Sequence, residues 1–476
     1  MPVVQLKCNL CIPERNKHTI VVDEDKSTLP KCNAPTVPGD LTERGCAYAG
    51  ARGVVGGPVV DVIQMVHAPV GCAYYTWGSR RHLGDGYNWA MPGVLENEAN
   101  HRRHCYCTDM QEKDVVFGGM DKLKKALLDA FEINKGAKGA FIYTTCTTAL
   151  IGDDVGLVAK EVSKEVGKPV FACSAPGFCG VSQSKGHHEF NFQFYKWLMK
   201  LREEHPEVCL KEEDKTPYDI NLIGEYNIDW DLLPVKPLFE KIGIRVLTAF
   251  TGNAYLDDLL RLPDAKLNVV HCQRSATYIA ELIKQGFDVP YSRVSFFGIQ
   301  QTAKALRETA AFFGDEAMMK KAEEVIQEEL DAVTPALDWY RERLKGKKLA
   351  IYVGGPRVWH WIKAMEDLGM EVVACLTTFG HTDDYQKIVE RVKPGTLVID
   401  NPNEFEIEEM IEKTQPDLFL TGLKEKYLVR KFGVATLNSH SYECGPYSGF
   451  RGLVNFARDI YQAVAAPVWK IAQEEF

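Results

Sequence analysis

The chain has 476 residues, of which 45% are hydrophobic and 25% charged, and its formal net charge at pH 7 is -9. This composition is typical of a globular protein, and the length predicts two to four domains rather than one core. The acidic balance argues against a nucleic-acid-binding surface, which needs a basic face. The N-terminal stretch "MPVVQLKCNLCIPERNKH" has no long apolar run of the kind that forms a signal peptide or membrane anchor. We therefore expect a cytoplasmic protein without a nucleic-acid or membrane partner.

The first distinctive segment runs from Arg44 to Arg81 and reads "RGCAYAGARGVVGGPVVDVIQMVHAPVGCAYYTWGSRR". Cys46 and Cys72 each lie next to a glycine, an apolar, glycine-rich stretch separates them, and Arg80 follows the second thiol. Taken one at a time, each thiol is a small buried hydrophobe and Arg80 is a surface arginine. Their grouping is the feature that needs an explanation.

Short β-branched or aromatic runs then alternate with helix-length amphipathic segments, which is the pattern of parallel sheets. The predicted strands form three groups: residues 114–119, 139–146 and 168–177; residues 218–227, 244–253 and 266–275; and residues 348–355, 370–380, 396–403 and 416–426. We predict an α/β fold of three Rossmann-like, doubly wound domains with parallel sheets, at residues 1–215, 216–340 and 341–476. Because ligands bind beyond the carboxyl ends of such strands, we expect the site where the domains meet.

Several candidate functional residues follow predicted strands. Cys146 and Cys272 each end such a strand, "GGPRVWHW" (354–361) follows another, and "TFGHTDD" (378–384) follows a fourth. The glycine pair before Arg357 suits either a tight turn or the close approach of a bulky anion. It lacks the lysine and hydroxyl of a P-loop, so nucleotide binding is not favoured.

Two segments that contain histidine are also candidates. Gln183 and His187 are four residues apart and would share one face of a helix, although adjacent histidines also occur at helix caps or in solvent. His440 lies in a turn before an aromatic, glycine-rich loop, where a single histidine is usually not a ligand.

The fourteen cysteines do not form the disulfide framework of a small secreted protein. Only Cys8 and Cys11 have CxxC spacing, and this single pair lacks the partner pair found in zinc fingers and ferredoxins. Any metal site must therefore draw its ligands from distant segments. Cys8, Cys11, Cys105, Cys107 and Cys444 receive no role.

In chain order, the segments "RGCAYAG", "HAPVGCAYYTWGSRR", "TTCTTALIGDD", "GVSQSKGHH", "HCQRS", "GGPRVWH", "FGHTDD", "GLKEK" and "HSYECGPYSGF" resemble those of the α subunits of nitrogenase's catalytic component. The resemblance extends from about residue 40 to the C-terminus, with order and spacing kept. It implies three Rossmann-like domains and an α2β2 tetramer with a β subunit. The absence of a Walker motif agrees with a separate, ATP-hydrolysing iron protein as electron donor.

The resemblance also implies a set of metal ligands. Cys46, Cys72 and Cys146 correspond to the α-side thiolates of an 8Fe-7S P-cluster that the β subunit completes. Cys272 and His440 correspond to the two ligands of an iron–molybdenum–sulfur–carbide cofactor with homocitrate, in which vanadium or iron can replace molybdenum. Thiolate suits the iron end of such a cofactor, and imidazole suits the heterometal end.

Further residues would surround this cofactor. By the same resemblance, His187 donates a hydrogen bond or proton to a bridging sulfide. The other positions are Gln183 and Lys424 near homocitrate, Ser184 as a further cofactor-binding residue, Arg80, Arg274 and Arg357 around the sulfides, and Val54 and Phe379 lining the pocket. Phe131 corresponds to a residue at the docking site of the iron protein.

The implied reaction is the reduction of dinitrogen to ammonia with hydrogen evolution, driven by reduced ferredoxin or flavodoxin through the iron protein and the P-cluster. Arg80, the "HS" pair at 440–441 and the chain end "APVWKIAQ" resemble the molybdenum branch, which we favour. The "WHW" at 359–361 and the short spacing from His440 to "GPY" resemble the vanadium and iron-only branches. Two alternatives remain open: a cofactor-assembly scaffold of the same superfamily, and a doubly wound sugar- or nucleotide-binding protein with structural cysteines.

Overall fold

The structure of the chain is a computed structural model that describes residues 13–37, 44–78, 105–225, 231–232, 234–252, 254–422, 425–440 and 445–469. Its strands are β1 (Thr19–Val21), β2 (Val62–His67), β3 (Tyr106–Cys107), β4 (Gly139–Thr144), β5 (Val170–Cys173), β6 (Asp219–Glu225), β7 (Arg245–Thr251), β8 (Leu267–Val270), β9 (Tyr291–Arg293), β10 (Lys348–Val353), β11 (Glu371–Thr377), β12 (Leu397–Asp400), β13 (Leu418–Thr421) and β14 (Ala435–Asn438). Its α-helices are Val70–Gly78, Glu112–Phe117, Met120–Ile133, Cys146–Ile151, Val155–Val166, Gln183–Glu204, Lys236–Lys241, Leu256–Leu260, Ser275–Phe287, Ile299–Phe313, Glu316–Leu344, Gly355–Asp367, Thr382–Arg391, Glu404–Thr414, Lys426–Lys431 and Gly449–Val464. A π-helical turn spans Ala49–Gly56.

The chain divides into two compact units. The central unit comprises Gly45–Asp229 and Phe239–Val294, and the terminal unit comprises Met1–Arg44, Trp230–Leu238 and Ser295–Phe476. The three-domain boundaries that we expect from the sequence stay a prediction.

The central unit contains two four-stranded parallel sheets, with strand orders β3-β2-β4-β5 and β7-β6-β8-β9. Every residue of β2 and β4 is buried, as expected for parallel strands that are covered on both faces. Helix Gln183–Glu204 packs against β5, against helix Ser275–Phe287 and against the π-helical turn. Its buried Phe190 and Phe194 rings stack with their centroids 5.8 Å apart. This helix therefore joins several elements of the unit through one apolar core.

The terminal unit contains a six-stranded sheet with the strand order β1-β12-β11-β10-β13-β14. Its strands pair in parallel except for β1, which pairs antiparallel with β12 at one edge. Helix Gly355–Asp367 begins directly after β10 and carries Pro356 in its first turn, where the missing N–H of proline breaks no helical hydrogen bond. Helices Glu316–Leu344 and Gly449–Val464 pack against each other.

The predicted α/β class with parallel sheets is confirmed, but the strand predicted at 114–119 is wrong because Glu112–Phe117 is a helix. The carboxylate of Asp114 accepts the backbone N–H of Gln111 at 2.8 Å, and such a capping bond stabilises a helix start. Phe117 is 87% exposed and adds no strand to a sheet. No helix in the described part of the chain has both the length and the apolar character needed to cross a membrane.

Helix Gln183–Glu204 meets the residues at the π-helical turn backbone to backbone. A Cβ on Gly186 would lie 1.7 Å from the carbonyl oxygen of Ala47, and a Cβ on Gly50 would lie 2.0 Å from the carbonyl oxygen of Gln183. Both distances are far shorter than van der Waals contact, so only glycine fits at either position. The two glycines therefore set how closely these segments approach each other.

We expect Gly186→Ala to lower the free energy of unfolding by more than about 3 kcal/mol, because overpacking against atoms that can still yield already costs about 1–3 kcal/mol. Gly156→Ala is the matched control in another helix of the central unit. Its Cβ would lie 3.3 Å from a carboxylate oxygen of Asp154, and we expect it to be neutral or stabilising by up to about 1 kcal/mol. Chemical denaturation of both purified variants measures the difference, and equal stabilities would contradict the contact.

The buried carboxyl group of Asp61 makes stability depend on pH. It accepts the backbone N–H of Leu256 at 2.8 Å, and burial raises its pKa to about 6, with Asp257 and Asp258 adding to the rise. The folded chain thus holds this proton more tightly than the unfolded chain, so the group's stabilising contribution is complete below about pH 4 and is lost as the pH rises through about 6.

Between pH 5 and pH 8 we expect the wild type to lose about 1 kcal/mol more unfolding free energy than Asp61→Asn. Parallel stability profiles against pH would contradict this.

Candidate functional site

Three cysteines lie near the ends of strands or at the starts of helices in the central unit. Cys46 precedes the π-helical turn, Cys72 lies in the first turn of the helix after β2, and Cys146 is the first residue of the helix after β4. Because β2 and β4 are neighbouring parallel strands, their carboxyl ends bring Cys72 and Cys146 to the same sheet edge. All three thiols are free and exposed.

The position of Gly177 shows that two of these thiols are close together. A Cβ built on this glycine would lie 3.0 Å from the Sγ of Cys146 and 3.6 Å from the Sγ of Cys46. The two sulfur atoms therefore flank one point, which a side chain at position 177 would fill.

Cys72 completes the group of three thiols. Although the residue is exposed overall, partial burial of its thiol raises the pKa, and the neighbouring Cys46 and Cys146 raise it further. Three thiolates in this arrangement would repel one another, so the charged forms need a cationic partner. Binding to a metal supplies that partner, because the ligand loses its proton when it binds.

The arrangement differs from a site for a single metal ion. In the part of the chain that the structure describes, no three His, Cys, Asp or Glu side chains are arranged to hold one ion. The ligands of an iron–sulfur cluster bind different iron atoms and do not need to converge on one point.

Exposed apolar side chains lie on the two helices that carry Cys72 and Cys146 and beside Gly177. Those with more than half of their surface exposed, which we call the apolar rim, are Val70, Tyr74, Tyr75, Leu150 and Phe178. The first three share a helix with Cys72, the fourth shares a helix with Cys146, and the fifth follows Gly177. Grouped apolar side chains of this kind mark a surface that contacts another protein.

Cys105 and Cys107, which have no predicted role, pack near the helix that carries Cys72. The Sγ of Cys107 donates to the carbonyl oxygen of Ala68 at 3.3 Å, and the Sγ of Cys105 lies 3.9 Å from the carbonyl oxygen of Ala73. Burial raises the pKa of both thiols. Protonated thiols that face backbone carbonyl oxygens are structural groups.

Gln183, Ser184 and His187 lie in the first two turns of a helix, as the sequence predicts. Ser184 and His187 are buried. Gly45 has a φ of +67°, and a Cβ there would lie 3.5 Å from the Cδ of Gln183. The segment of Cys46 therefore lies directly against the start of this helix.

Cys272 lies in the turn between β8 and helix Ser275–Phe287, at the carboxyl end of a parallel strand. Its Sγ is 3.2 Å from the Oγ of Ser275, and Arg274 immediately precedes the helix. In the neighbouring strand β6, Gly224 has a φ of +94°, and a Cβ there would lie 2.9 Å from the Cβ of Cys272. Conformation and space both require glycine at this position.

In the terminal unit, Arg357, Phe379 and His440 follow strands of one sheet. Arg357 follows β10, Phe379 follows β11 and His440 follows β14. The Nη1 of Arg357 donates to the carbonyl oxygen of Ser439 at 2.9 Å, and its guanidinium lies 4.7 Å from the ring centre of Phe297. The sheet therefore brings these three predicted residues to its carboxyl edge.

Phe379 has a φ of +74°, a conformation that is rare for a bulky residue. Its N–H donates to the Oδ1 of Asn401 at 2.9 Å, which holds the strained backbone in place. A Cβ on Gly354 would lie 3.0 Å from the Phe379 ring. Strain of this kind is typical of ligand-binding positions.

The remaining predicted residues fall into two sets. Val54 is half-buried against the main core of the central unit. Phe131 is 7% exposed and packs in a core with Leu127 and Val158, and its place at the docking site of the iron protein stays a prediction. Outside the described residues lie Arg80, Lys424, Cys8, Cys11 and Cys444.

Comparisons with known proteins agree with the sequence motifs. Residues 46–465 match the family described as "Nitrogenase component 1 type Oxidoreductase". The chain is 56% identical to the nitrogenase molybdenum-iron protein alpha chain of Methanothermococcus thermolithotrophicus, over 100% of this chain and 97% of that protein. It is 44% identical to the nitrogenase iron-iron protein alpha chain of Rhodobacter capsulatus, over 99% of this chain and 86% of that protein.

A solved structure, "Nitrogenase Cp1 at pH 5", matches with a TM-score of 0.86 and 36% identity and covers 96% of both chains. Fold, motifs and sequence identity thus indicate the same family over nearly the whole chain. The resemblance expected from the sequence is confirmed, and the chain belongs to the family of nitrogenase component 1 type oxidoreductases.

Proposed function

We propose that the chain is the α subunit of a molybdenum-type dinitrogenase, which reduces dinitrogen to ammonia and evolves hydrogen. The observation that carries this proposal is the group formed by Cys46, Cys72 and Cys146, whose free thiols lie on an exposed surface beside the apolar rim. An electron relay shared by two subunits needs both features. One subunit supplies only part of the ligand set, and the other must cover the cluster.

The three thiols are the proposed α-side ligands of a P-cluster at the contact with a β subunit. The residues fit such a cluster, because Gly177 leaves open the point between two of the sulfur atoms and all three cysteines are free. The cluster stores and transfers electrons when it is bound. The chain contributes the thiolates, the glycine that leaves space for the cluster, and the apolar rim.

Cys272 and His440 are the proposed ligands of the iron–molybdenum cofactor. Ser275 places a hydroxyl beside the thiol of Cys272, and Gly224 leaves the space that this turn needs. The bound cofactor would supply the multi-electron reduction. The proposed surrounding residues are Arg80, Arg274 and Arg357 for charge, Gln183, Ser184 and Lys424 for the organic acid, and Val54 and Phe379 for the apolar wall.

His187 is the proposed donor of protons or hydrogen bonds to the working face of the cofactor. It is buried near the start of its helix, four residues after Gln183, so both side chains project from one face. An imidazole ordinarily titrates near neutral pH and can both donate and accept a proton. A single buried donor limits proton delivery, which favours dinitrogen reduction over simple hydrogen evolution.

The proposed partners are a β subunit in an α2β2 tetramer and an ATP-hydrolysing iron protein. Phe131 is the residue that the resemblance assigns to the docking site, and because it is only 7% exposed, more exposed residues near it would contribute most of the contact surface. Phe117 and Val116 are 87% and 72% exposed, and they end the short helix before the one that carries Phe131. We propose this exposed pair as part of the docking surface.

Two observations separate this proposal from its alternatives. The 56% identity to one molybdenum-iron alpha chain supports molybdenum as the heterometal, while the identities to other molybdenum-iron alpha chains, at 39–46%, overlap the 44% identity to an iron-iron alpha chain. The presence of both Cys272 and His440, together with Gln183 and His187, favours an enzyme over a cofactor-assembly scaffold, which typically lacks the complete set.

The relay can be tested with Cys72→Ala in the anaerobically purified tetramer. We expect the P-cluster spectrum to disappear and electron transfer to fall at least about tenfold, in line with the effect of losing metal-site contacts, while the heterometal content stays at the wild-type level. Cys107→Ala removes a neighbouring half-buried thiol and should leave the iron count unchanged. An unaltered P-cluster spectrum in the Cys72 variant would exclude this ligand.

The proposed reaction can be tested with His187→Gln, compared with the wild type at equal electron flux. Glutamine keeps a donor of similar reach but cannot titrate, so we expect molybdenum content to be nearly preserved and dinitrogen reduction to fall about a hundredfold, the lower end of the range for loss of general acid–base catalysis. Hydrogen evolution should fall much less.

The matched control is His188→Gln, at the next position of the same helix, which should retain both activities. A parallel loss of both activities and of molybdenum in the His187 variant would show a structural role. A wild-type protein that contains molybdenum but reduces no dinitrogen would contradict the proposed function itself.

A further inference from the structure

Two buried polar side chains lie directly before His440 at the carboxyl end of β14. Asn438 is 5% exposed, and Ser439 is fully buried. Among the residues that the structure describes, the Nδ2 of Asn438 and the Oγ of Ser439 have no hydrogen-bond partner. A buried polar group left without a partner destabilises the fold, because it has lost its hydrogen bonds to water. The strand end is therefore built for a further hydrogen-bonding group.

The other end of the Asn438 amide has a partner that fixes its orientation. Its Oδ1 accepts the backbone N–H of His440 at 2.8 Å. Since a backbone N–H can only donate, the atom that faces it is the amide oxygen, and the amide nitrogen must point elsewhere. Nδ2 is thus a donor that needs an acceptor.

The surrounding backbone holds this donor in place. The N–H of Ser439 donates to the carbonyl oxygen of Thr421 in the neighbouring strand at 2.9 Å. The carbonyl oxygen of Ser439 accepts from the Nη1 of Arg357 at 2.9 Å. Asn438, Ser439 and His440 are therefore fixed on both sides, by the sheet and by a guanidinium.

We infer that Asn438 is a positioning residue for the group that His440 binds. Its Oδ1 holds the backbone of His440, and its Nδ2 donates to an anionic oxygen, of the carboxylate or alkoxide class, on that group. Oxygen is the stronger acceptor for an amide N–H, and sulfur accepts only weakly. The inference rests on the proposed function, in which His440 ligates a cofactor that carries an organic acid.

Two substitutions separate the oxygen of Asn438 from its nitrogen. Asn438→Asp keeps the acceptor for the His440 N–H but replaces the donor by a carboxylate oxygen, which would repel an anionic ligand. Asn438→Ser keeps a side-chain oxygen that can accept the backbone N–H of His440, as serine side chains do in turns. It removes the amide donor.

Asn403→Asp is the control within the same unit. Asn403 is also buried, and its Oδ1 accepts the N–H of Glu406 at 2.8 Å as a helix cap. Aspartate caps a helix as well as asparagine does.

The experiment titrates isolated cofactor into cofactor-free tetramer, purified from cells that cannot make the cofactor, and measures the molybdenum retained per tetramer after desalting. We expect both Asn438 variants to need at least about tenfold more cofactor for half-loading, the size of effect seen when groups behind a metal ligand are lost. Asn403→Asp should load like the wild type. The P-cluster iron and the unfolding midpoint of each cofactor-free variant should match those of the wild type.

Each outcome decides the inference. Wild-type loading in both Asn438 variants would overturn it, and would mean that the amide finds its acceptor within the protein. A lower unfolding midpoint together with lost P-cluster iron in the cofactor-free variants would also overturn it, in favour of a structural role. A wild-type tetramer that retains no molybdenum would overturn the proposed function as well, which distinguishes the two failures.

Discussion

The central unit depends on a backbone contact that only glycine permits. Gly186 in the helix and Gly50 at the π-helical turn leave no room for a Cβ, so the two backbones touch without side chains between them. Cys46 precedes one side of this contact, and Gln183 and His187 lie on the other. The contact therefore sets the separation between a proposed electron-relay ligand and the proposed proton donor. A larger side chain at either glycine would move both functions together.

The surface of the three thiols has two features that are unfavourable in an isolated chain: the closeness of the thiols to one another and the exposed apolar rim. Mutual repulsion opposes their thiolate forms, and the pKa of Cys72 is raised by partial burial and by this repulsion. The apolar rim beside them exposes hydrophobic surface to water. In the proposed function, bound iron would relieve the first cost and a partner subunit would relieve the second, and both would act on the same face. If the proposal holds, cluster binding and subunit association are thermodynamically linked, since each stabilises the surface that the other needs.

Much of the fold follows from the hydrophobic pattern, because buried parallel strands are continuous apolar runs. The same hydrophobic pattern failed at 114–119, where β-branched residues lie on an exposed, capped helix, and no pattern reveals whether a surface will be covered.

The ends of predicted strands indicated Cys146 and Cys272 as candidate site residues, and β4 does bring Cys146 beside Cys72. Leu127 and Phe131 are four residues apart on one helix face, a signal that would have predicted the burial of Phe131. The close glycine contacts left no such signal, since a glycine inside a helix shows neither what it faces nor how near that group is. The roles of the site residues stay predictions.

The terminal unit has a strained residue and two unpartnered buried polar side chains at the carboxyl edge of its sheet. Among the described residues with positive φ other than glycine, Phe379 is the only aromatic one; the others are Lys, Asn, Asp and Gln. A bulky residue in this conformation costs about 1–3 kcal/mol, and it persists here because Asn401 holds its N–H. Asn438 adds a buried donor at the same edge. The surrounding sheet is buried and regular, so it supplies the stability that this edge lacks. Natural proteins tolerate such local losses of stability where a bound ligand offsets them. A large anionic cofactor beside Arg357 and His440 would offset them through hydrogen bonds that water cannot make at a buried position.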